Sequence, residues 1–201
     1  MGSYFKCYYV KYYFLYAIGS LIMAESMNEK MKINKATFGA GCFWCIEAIL
    51  LNVPGIISID VGYTGGHTDN PTYKMICEGN TGHAEVAQIT FDSQQLSYED
   101  LLLIFFEIHD PTTLNRQGND VGTQYRSSIF YHTPEQKELA KSILNKSQSA
   151  FANKIVTEIT AFEKFYIAED YHQNYYNNNK NASYCNFVIR PKLEKYLNDK
   201  K

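Results

Sequence analysis

From residue 32 onward, apolar and polar positions switch between a two-residue and a three-to-four-residue period, so strands and helices are expected to alternate. Residues 35–38 read as a short strand ending in Gly39-Ala40-Gly41. Residues 42–51 read as a helix with Phe43, Ile46, Ile49 and Leu50 at helical spacing, stopped by Asn52-Val53-Pro54-Gly55. Residues 56–63 form a second strand, closed by Thr64-Gly65-Gly66, and residues 84–91 a third. Between them, residues 67–83 have no strong periodicity and are expected to be a long polar loop. Ser97 is a good N-cap for a helix whose apolar run is 101–106. A second polar loop, 109–122, leads to a strand at 127–131, and Thr133-Pro134-Glu135 opens another helix with Pro at its first position. Residues 155–159 read as a strand, 169–176 as a short helix running into an Asn-rich loop, and Pro191 onward as a terminal helix. This order predicts an α+β protein, a ferredoxin-like two-layer α/β sandwich whose long loops carry the function.

The length of 201 residues suits one catalytic domain over residues 32–201, preceded by an N-terminal extension, residues 1–31. Residues 1–24 carry Lys6 and Lys11, no acids, and an apolar run from Tyr12 to Ala24. That pattern resembles a signal peptide with a short apolar region, although Ile22 stands where a small residue is wanted. It is too short for a confident membrane span. The alternative is a misassigned start, with translation beginning at Met23, Met27 or Met31. The expected location is cytoplasmic, or secreted or periplasmic if the segment is a real signal. No membrane is expected to bind the catalytic domain. A net charge of −2 and the absence of a polybasic block argue against nucleic acid as a partner.

Composition adds five cysteines: Cys7, Cys42, Cys45, Cys77 and Cys185. The number is odd and the chain too long for a disulfide scaffold, so catalytic, metal-binding or merely buried thiols are the choices. Zinc would need a second ligand pair, and no second CxxC or HxxxH exists; neither a metal nor another cofactor is expected.

The run Gly39-Ala40-Gly41-Cys42-Phe43-Trp44-Cys45 places a cysteine where a strand turns into a helix. A helix N-terminus presents unpaired N–H groups and partial positive charge, which predicts a depressed thiol pKa and a nucleophilic Cys42. Cys45 lies one turn on, within reach of a disulfide with Cys42. Phe43 and Trp44 are either core aromatics or an apolar cup for a substrate methyl group. Cys77 is expected to be an inert buried thiol. His83 and His109 are more plausibly structural loop histidines than bases for Cys42. On these residues alone a thiol–disulfide oxidoreductase, a Cys–His hydrolase and a redox- or metal-sensing module all stay open.

Further runs narrow the choice. Gly41-Cys42-Phe43-Trp44, Tyr63-Thr64-Gly65-Gly66, Asn70-Pro71-Thr72-Tyr73, Thr81-Gly82-His83-Ala84-Glu85-Val86, His109-Asp110-Pro111-Thr112, Gly118-Asn119-Asp120-Val121-Gly122-Thr123-Gln124-Tyr125-Arg126-Ser127 and Ala168-Glu169-Asp170-Tyr171-His172-Gln173 together resemble the motifs of the A-type peptide methionine sulfoxide reductases, in family order. The resemblance spans roughly residues 36–193. It implies reduction of methionine sulfoxide, free or in proteins, with selectivity for the S epimer at sulfur, as protein repair after oxidative damage. It also implies a thioredoxin-type reductant as partner; a monomer is expected. Carried over by motif position, Cys42 is the nucleophile and Glu85 the acid. Tyr73, Asp120 and Tyr125 are substrate-site groups, and Phe43 and Trp44 form the methyl pocket. In this chemistry the attacking cysteine becomes a sulfenic acid, a second thiol condenses with it, and the reductant reopens the disulfide.

The second thiol is where the chain departs from the common pattern. Many members have Gly after the Trp and resolving cysteines near the C-terminus. Here Cys45 takes that Gly position, as in a subgroup of the family, while Cys185 lies where a first resolving residue is usual. Cys45 is favoured. Cys185 stays the rival, or is a buried thiol beside strand-like Phe187-Val188-Ile189.

Overall fold

In the computed structural model, residues 32–200 are described; the expectations for residues 1–31, Cys7 included, lie outside them. Three strands form the middle of the sheet: β1 (Ile33–Ala40), β2 (Ile56–Thr64) and β3 (Ala84–Asp92). β3 is buried on both faces along almost its whole length, which explains its nearly continuous apolar run. It pairs antiparallel with β2, Tyr63 opposite Glu85. β6 (Ser127–Tyr131) pairs antiparallel with β1. The order β6-β1-β3-β2 is that of the ferredoxin-like sandwich, and β7 (Glu158–Ala161) and β8 (Tyr166–Ile167) extend it at the two edges. β7 runs parallel to β6.

Helix α1 (Phe43–Leu50) lies on β2 and β3 with seven buried residues, so the expected helix is there, with Cys42 as its N-cap residue. α3 (Tyr98–Glu107) starts in a capping box between Ser97 and Asp100. α4 (Pro134–Ser147) is capped by Thr133 and packs on β6 and β7. Its fit at Pro134 is what the missing N–H of proline allows. Among the described residues no helix is long and apolar enough to cross a membrane.

Several local expectations are corrected. The first loop contains a six-residue helix, α2 (Tyr73–Glu78), held by the Thr72 hydroxyl at one end and by left-handed Gly79 at the other. The second loop contains a two-strand ribbon, β4 (Arg116–Gln117) with β5 (Asp120–Val121). The strand expected at 155–159 lies later, as β7. The short helix expected at 169–176 is split into a 3-10 turn, Asp170–His172, and α5 (Tyr175–Asn178), because Asn174 turns left-handed at φ 51°. Phe187-Val188-Ile189 is not strand-like: Cys185–Ile189 forms a π turn that leads directly into α6 (Arg190–Asp199).

Candidate active site

The turn from β1 into α1 aims Cys42 at the sheet. Gly41 has φ +84°, and a Cβ there would sit 2.5 Å from Gln117 Cβ. Gly39 is closed in by the Ser128 hydroxyl and the Glu85 carbonyl. Neither position accepts a side chain without movement, so the strand end, Glu85 and the β4 ribbon can all crowd against Cys42.

Glu85 points from the centre of the sheet to that turn. Its carboxyl group accepts a hydrogen bond from the Phe43 N–H at 3.2 Å. The donor is the first free N–H of α1, the residue after Cys42. Glu85 is 2% exposed. Burial raises its pKa to about 8; the Phe43 N–H opposes the shift, and the nearby Asp120 and Cys45 add to it. At neutral pH Glu85 therefore carries its proton, the state a general acid needs.

Around this acid lie the sequence-predicted aromatics. Trp44, Tyr73 and Tyr125 are half-buried, whereas Phe43 is fully buried against Tyr63 and His172. Burial, with surrounding charges including Glu85, pushes both Tyr73 and Tyr125 far above the ordinary phenol pKa, so both hydroxyls are donors. Asp120, at the start of β5, accepts a 3.0 Å hydrogen bond from Tyr184, not from Tyr73 or Tyr125.

Trp44 is built in from a segment with no visible periodicity. Its ring stacks on Tyr175 at 3.7 Å between centroids, 8° from parallel. Its indole N–H donates to His172 Nδ1 at 3.1 Å. That bond leaves the proton of neutral His172 on Nε2, 3.8 Å from Glu169. Glu169 in turn accepts from the Tyr73 N–H at 2.8 Å and the Tyr63 hydroxyl at 3.0 Å. One carboxylate thus orders the start of α2 and, through His172, faces Trp44. The Asp-Tyr-His run was visible in the sequence; its link to Trp44 required the split of the expected helix at Asn174.

The two helix cysteines do not behave as the helix-start argument alone predicts. Cys42 is 7% exposed and its thiol is pushed up, first by burial, then by contact with the Cys45 sulfur and by the Glu85 charge. Cys45 is pulled below its ordinary value, first by its hydrogen bond with Cys42 and, against the opposing effect of burial, by Lys192 and Tyr184. The expected depressed pKa at Cys42 is thus corrected: of the two thiols, Cys45 is the one that ionises more readily. A protonated Glu85 takes away one of the charges that hinder Cys42. Cys185 is fully buried, and burial and the Cys45 sulfur both raise its thiol. Cys77 is a second correction, an exposed thiol on α2 within hydrogen-bonding contact of Tyr73.

The two loop histidines are engaged elsewhere. His83 Nδ1 accepts from the Gly66 N–H, and its other nitrogen meets the Thr68 carbonyl. His109 is clamped between the Phe105 carbonyl at 2.6 Å and the Ser127 hydroxyl at 2.7 Å, with burial lowering its pKa to about 4. Both serve the scaffold, as their loop positions suggested.

Residues 34–201 match the model of the peptide methionine sulfoxide reductase family. The chain belongs to that family. Relatives named peptide methionine sulfoxide reductase MsrA include one from Saccharolobus solfataricus, 56% identical over 162 residues (81% of this chain and 92% of the relative). Another, from Acinetobacter baumannii, is 53% identical over 163 residues, 81% and 94% of the two chains. These place the chain among the A-type members. Reduced Mxr1 from Saccharomyces cerevisiae superposes with a TM-score of 0.73 at 38% identity, covering 77% of this chain and 90% of that one. Methionine sulfoxide reductase A of Corynebacterium diphtheriae gives 0.69 at 36% identity, covering 75% and 76%. Mxr1 has also been seen in complex with Trx2, in a form that matches at a TM-score of 0.53 and 28% identity, covering 72% and 85%. The thiol–disulfide oxidoreductase alternative is not favoured by these relatives.

Proposed function

We infer that the protein reduces the S epimer of methionine sulfoxide, free or in proteins, with Cys42 as nucleophile, Glu85 as acid and Cys45 as resolving thiol. The observation that carries this reading is a buried, neutral Glu85 bonded to the N–H of the residue after Cys42. A sulfoxide oxygen leaves poorly until it is protonated. Glu85 holds a proton at neutral pH, and Tyr73 and Tyr125 hold donors beside it. The Cys42 sulfur attacks the sulfoxide sulfur, the oxygen takes the Glu85 proton and ends as the hydroxyl of a Cys42 sulfenic acid, the Cys42 thiol proton replaces the one Glu85 gave, and methionine leaves. Trp44, held flat by Tyr175 and backed by buried Phe43, offers the apolar surface for the substrate methyl group.

Cys45 then displaces that hydroxyl as water and forms a disulfide with Cys42. Contact between the two sulfurs and the lowered Cys45 thiol support it over Cys185, which is buried and raised. A thioredoxin-type dithiol would reopen the disulfide; the Trx2 complex of the yeast relative supports that partner class. A monomeric catalytic domain over residues 32–201 is part of this reading, and the free Cys42, Cys45, Cys77 and Cys185 suit a reducing, cytoplasmic compartment.

The test is incubation with dithiothreitol and each epimer of a methionine sulfoxide peptide. The expected result is consumption of the S epimer alone, abolished by Cys42→Ser. Consumption of neither epimer, with reduction of insulin disulfides instead, would sink the reading.

A further inference from the structure

Cys45 is surrounded by six groups: Cys42 at the head of α1, Glu85 on β3, Asp120 on β5, Tyr184 just before the π turn, Cys185 within it, and Lys192 in the first turn of α6. Four of these are acids or thiols, which repel or compete with a thiolate. Tyr184 lies 4.0 Å from the Cys45 sulfur and also donates to Asp120 at 3.0 Å. Tyr184 thus divides one proton between Asp120 and Cys45, and the Cys42 thiol proton that favours Cys45 in the resting pair is gone once Cys42 is oxidised. Among the described residues the full positive charge at this sulfur is Lys192, whose Nζ is 3.8 Å from Cys45 Sγ. It is the cation that faces this sulfur. Lys192 also lines a cavity of about 770 Å³, shared with Asp110, Lys195 and Tyr196.

We propose that Lys192 is a catalytic residue of the second half-reaction: its ammonium group holds Cys45 as a thiolate, aimed at the oxidised Cys42 sulfur. The proposal rests on Cys45 being the resolving thiol. The step balances as follows. The Cys45 thiolate forms an S–S bond to the sulfenic sulfur of Cys42, whose S–O bond breaks. The hydroxide that leaves takes a proton from solvent and departs as water. Cys45 is oxidised by one electron equivalent and Cys42 reduced by one. Glu85 gives no proton in this step, and the cation that acts in it, Lys192, is not used in the first. The π turn makes this possible, because it joins Cys185 to α6 without a break and brings an ordinary surface-type lysine of the Arg190-Pro191-Lys192 run to an active-site sulfur.

The experiment mixes reduced protein with methionine sulfoxide in the absence of reductant and follows methionine release and Cys42–Cys45 disulfide formation by mass, across pH. In Lys192→Met, disulfide formation should slow about tenfold at pH 7 and its pH profile should move up by about one unit, as expected on losing an opposite charge within 4–6 Å. Lys192→Arg should restore most of the rate, and Lys195→Met, which removes a charge from the same cavity but not from Cys45, should leave the profile in place. An unshifted profile in a folded Lys192→Met protein would overturn the proposal, as would an equal shift in Lys195→Met. Cys45→Ser separates the underlying reading: steady-state turnover with dithiol undiminished in that variant removes Cys45 as resolver, whatever Lys192 does.

Discussion

Two buried carboxyl groups at α1 have the same solvent exposure, Glu47 and Glu85, each 2% exposed. Their surroundings differ. Glu47, on α1 itself, accepts two backbone N–H groups, Asn174 at 2.6 Å and Tyr175 at 3.2 Å. Glu85, reaching α1 from β3, accepts one, Phe43 at 3.2 Å. Burial raises both pKa values, and at Glu47 the two donors oppose the rise. Glu85 has fewer donors and two negative neighbours, Asp120 and Cys45, so its proton stays on. The same solvent exposure therefore goes with a structural anchor in one place and a proton store in the other. What separates them is how many donors meet the carboxylate together with how deeply the protein encloses it, since burial is the largest cause at both and is greater around Glu85.

The largest effect expected from breaking this comparison is kinetic. Glu85→Gln keeps the shape and removes the proton, and should slow methionine formation in a single turnover by about 10²–10⁴-fold, the usual worth of a positioned acid. Stability should then separate the two sites by pH. Glu85 has a folded-state pKa near 8, above the unfolded carboxyl value, so the folded protein holds an extra proton between those values. Stability should fall as pH rises from about 5 through 8, by several kcal/mol from this group. Urea unfolding across that range should show the decline in the wild type and a much smaller one in Glu85→Gln. Glu47→Gln has the opposite profile: activity within a few-fold, but a loss of about 1–3 kcal/mol in urea unfolding, because a backbone donor is left poorly satisfied. The smallest effect is at the pocket that Glu47 supports. Tyr175→Leu removes the stack under Trp44, and should raise KM for a methionine sulfoxide peptide roughly 2–10-fold while kcat changes less.

These two carboxyl groups also show what could be read without a structure. Glu85 was legible only through the family motif, since strand alternation by itself reads it as an exposed carboxylate. The start of α1 was legible from the residues themselves: small residues before Cys42 and helical spacing after it leave few other solutions. Glu47 was not, because one acidic position in an amphipathic helix says nothing about the loop 120 or more residues away that donates to it. The same holds for the chain from Glu169 through His172 to Trp44, and for Lys192. Both depend on irregular backbone, a left-handed Asn174 and a π turn, that leaves no period in the sequence. Helix α2 did leave signals, the Thr72 cap and Gly79, but six residues make less than two turns and no apolar stripe. The pKa of Cys42 was misjudged because a helix N-terminus is a local argument, and a buried site with two sulfurs and an acid is not.

The claim at the centre of the account is that a neutral Glu85 delivers a proton while Cys42 attacks. The most direct measurement is the pH dependence of methionine formation in a single turnover, wild type against Glu85→Gln, with the S epimer of the sulfoxide. The account predicts a wild-type rate that falls as pH rises through about 8, where Glu85 ionises, and a slow Glu85→Gln rate lacking that fall. A Glu85→Gln protein that forms methionine at the wild-type rate, or that keeps the same alkaline limb, would contradict it.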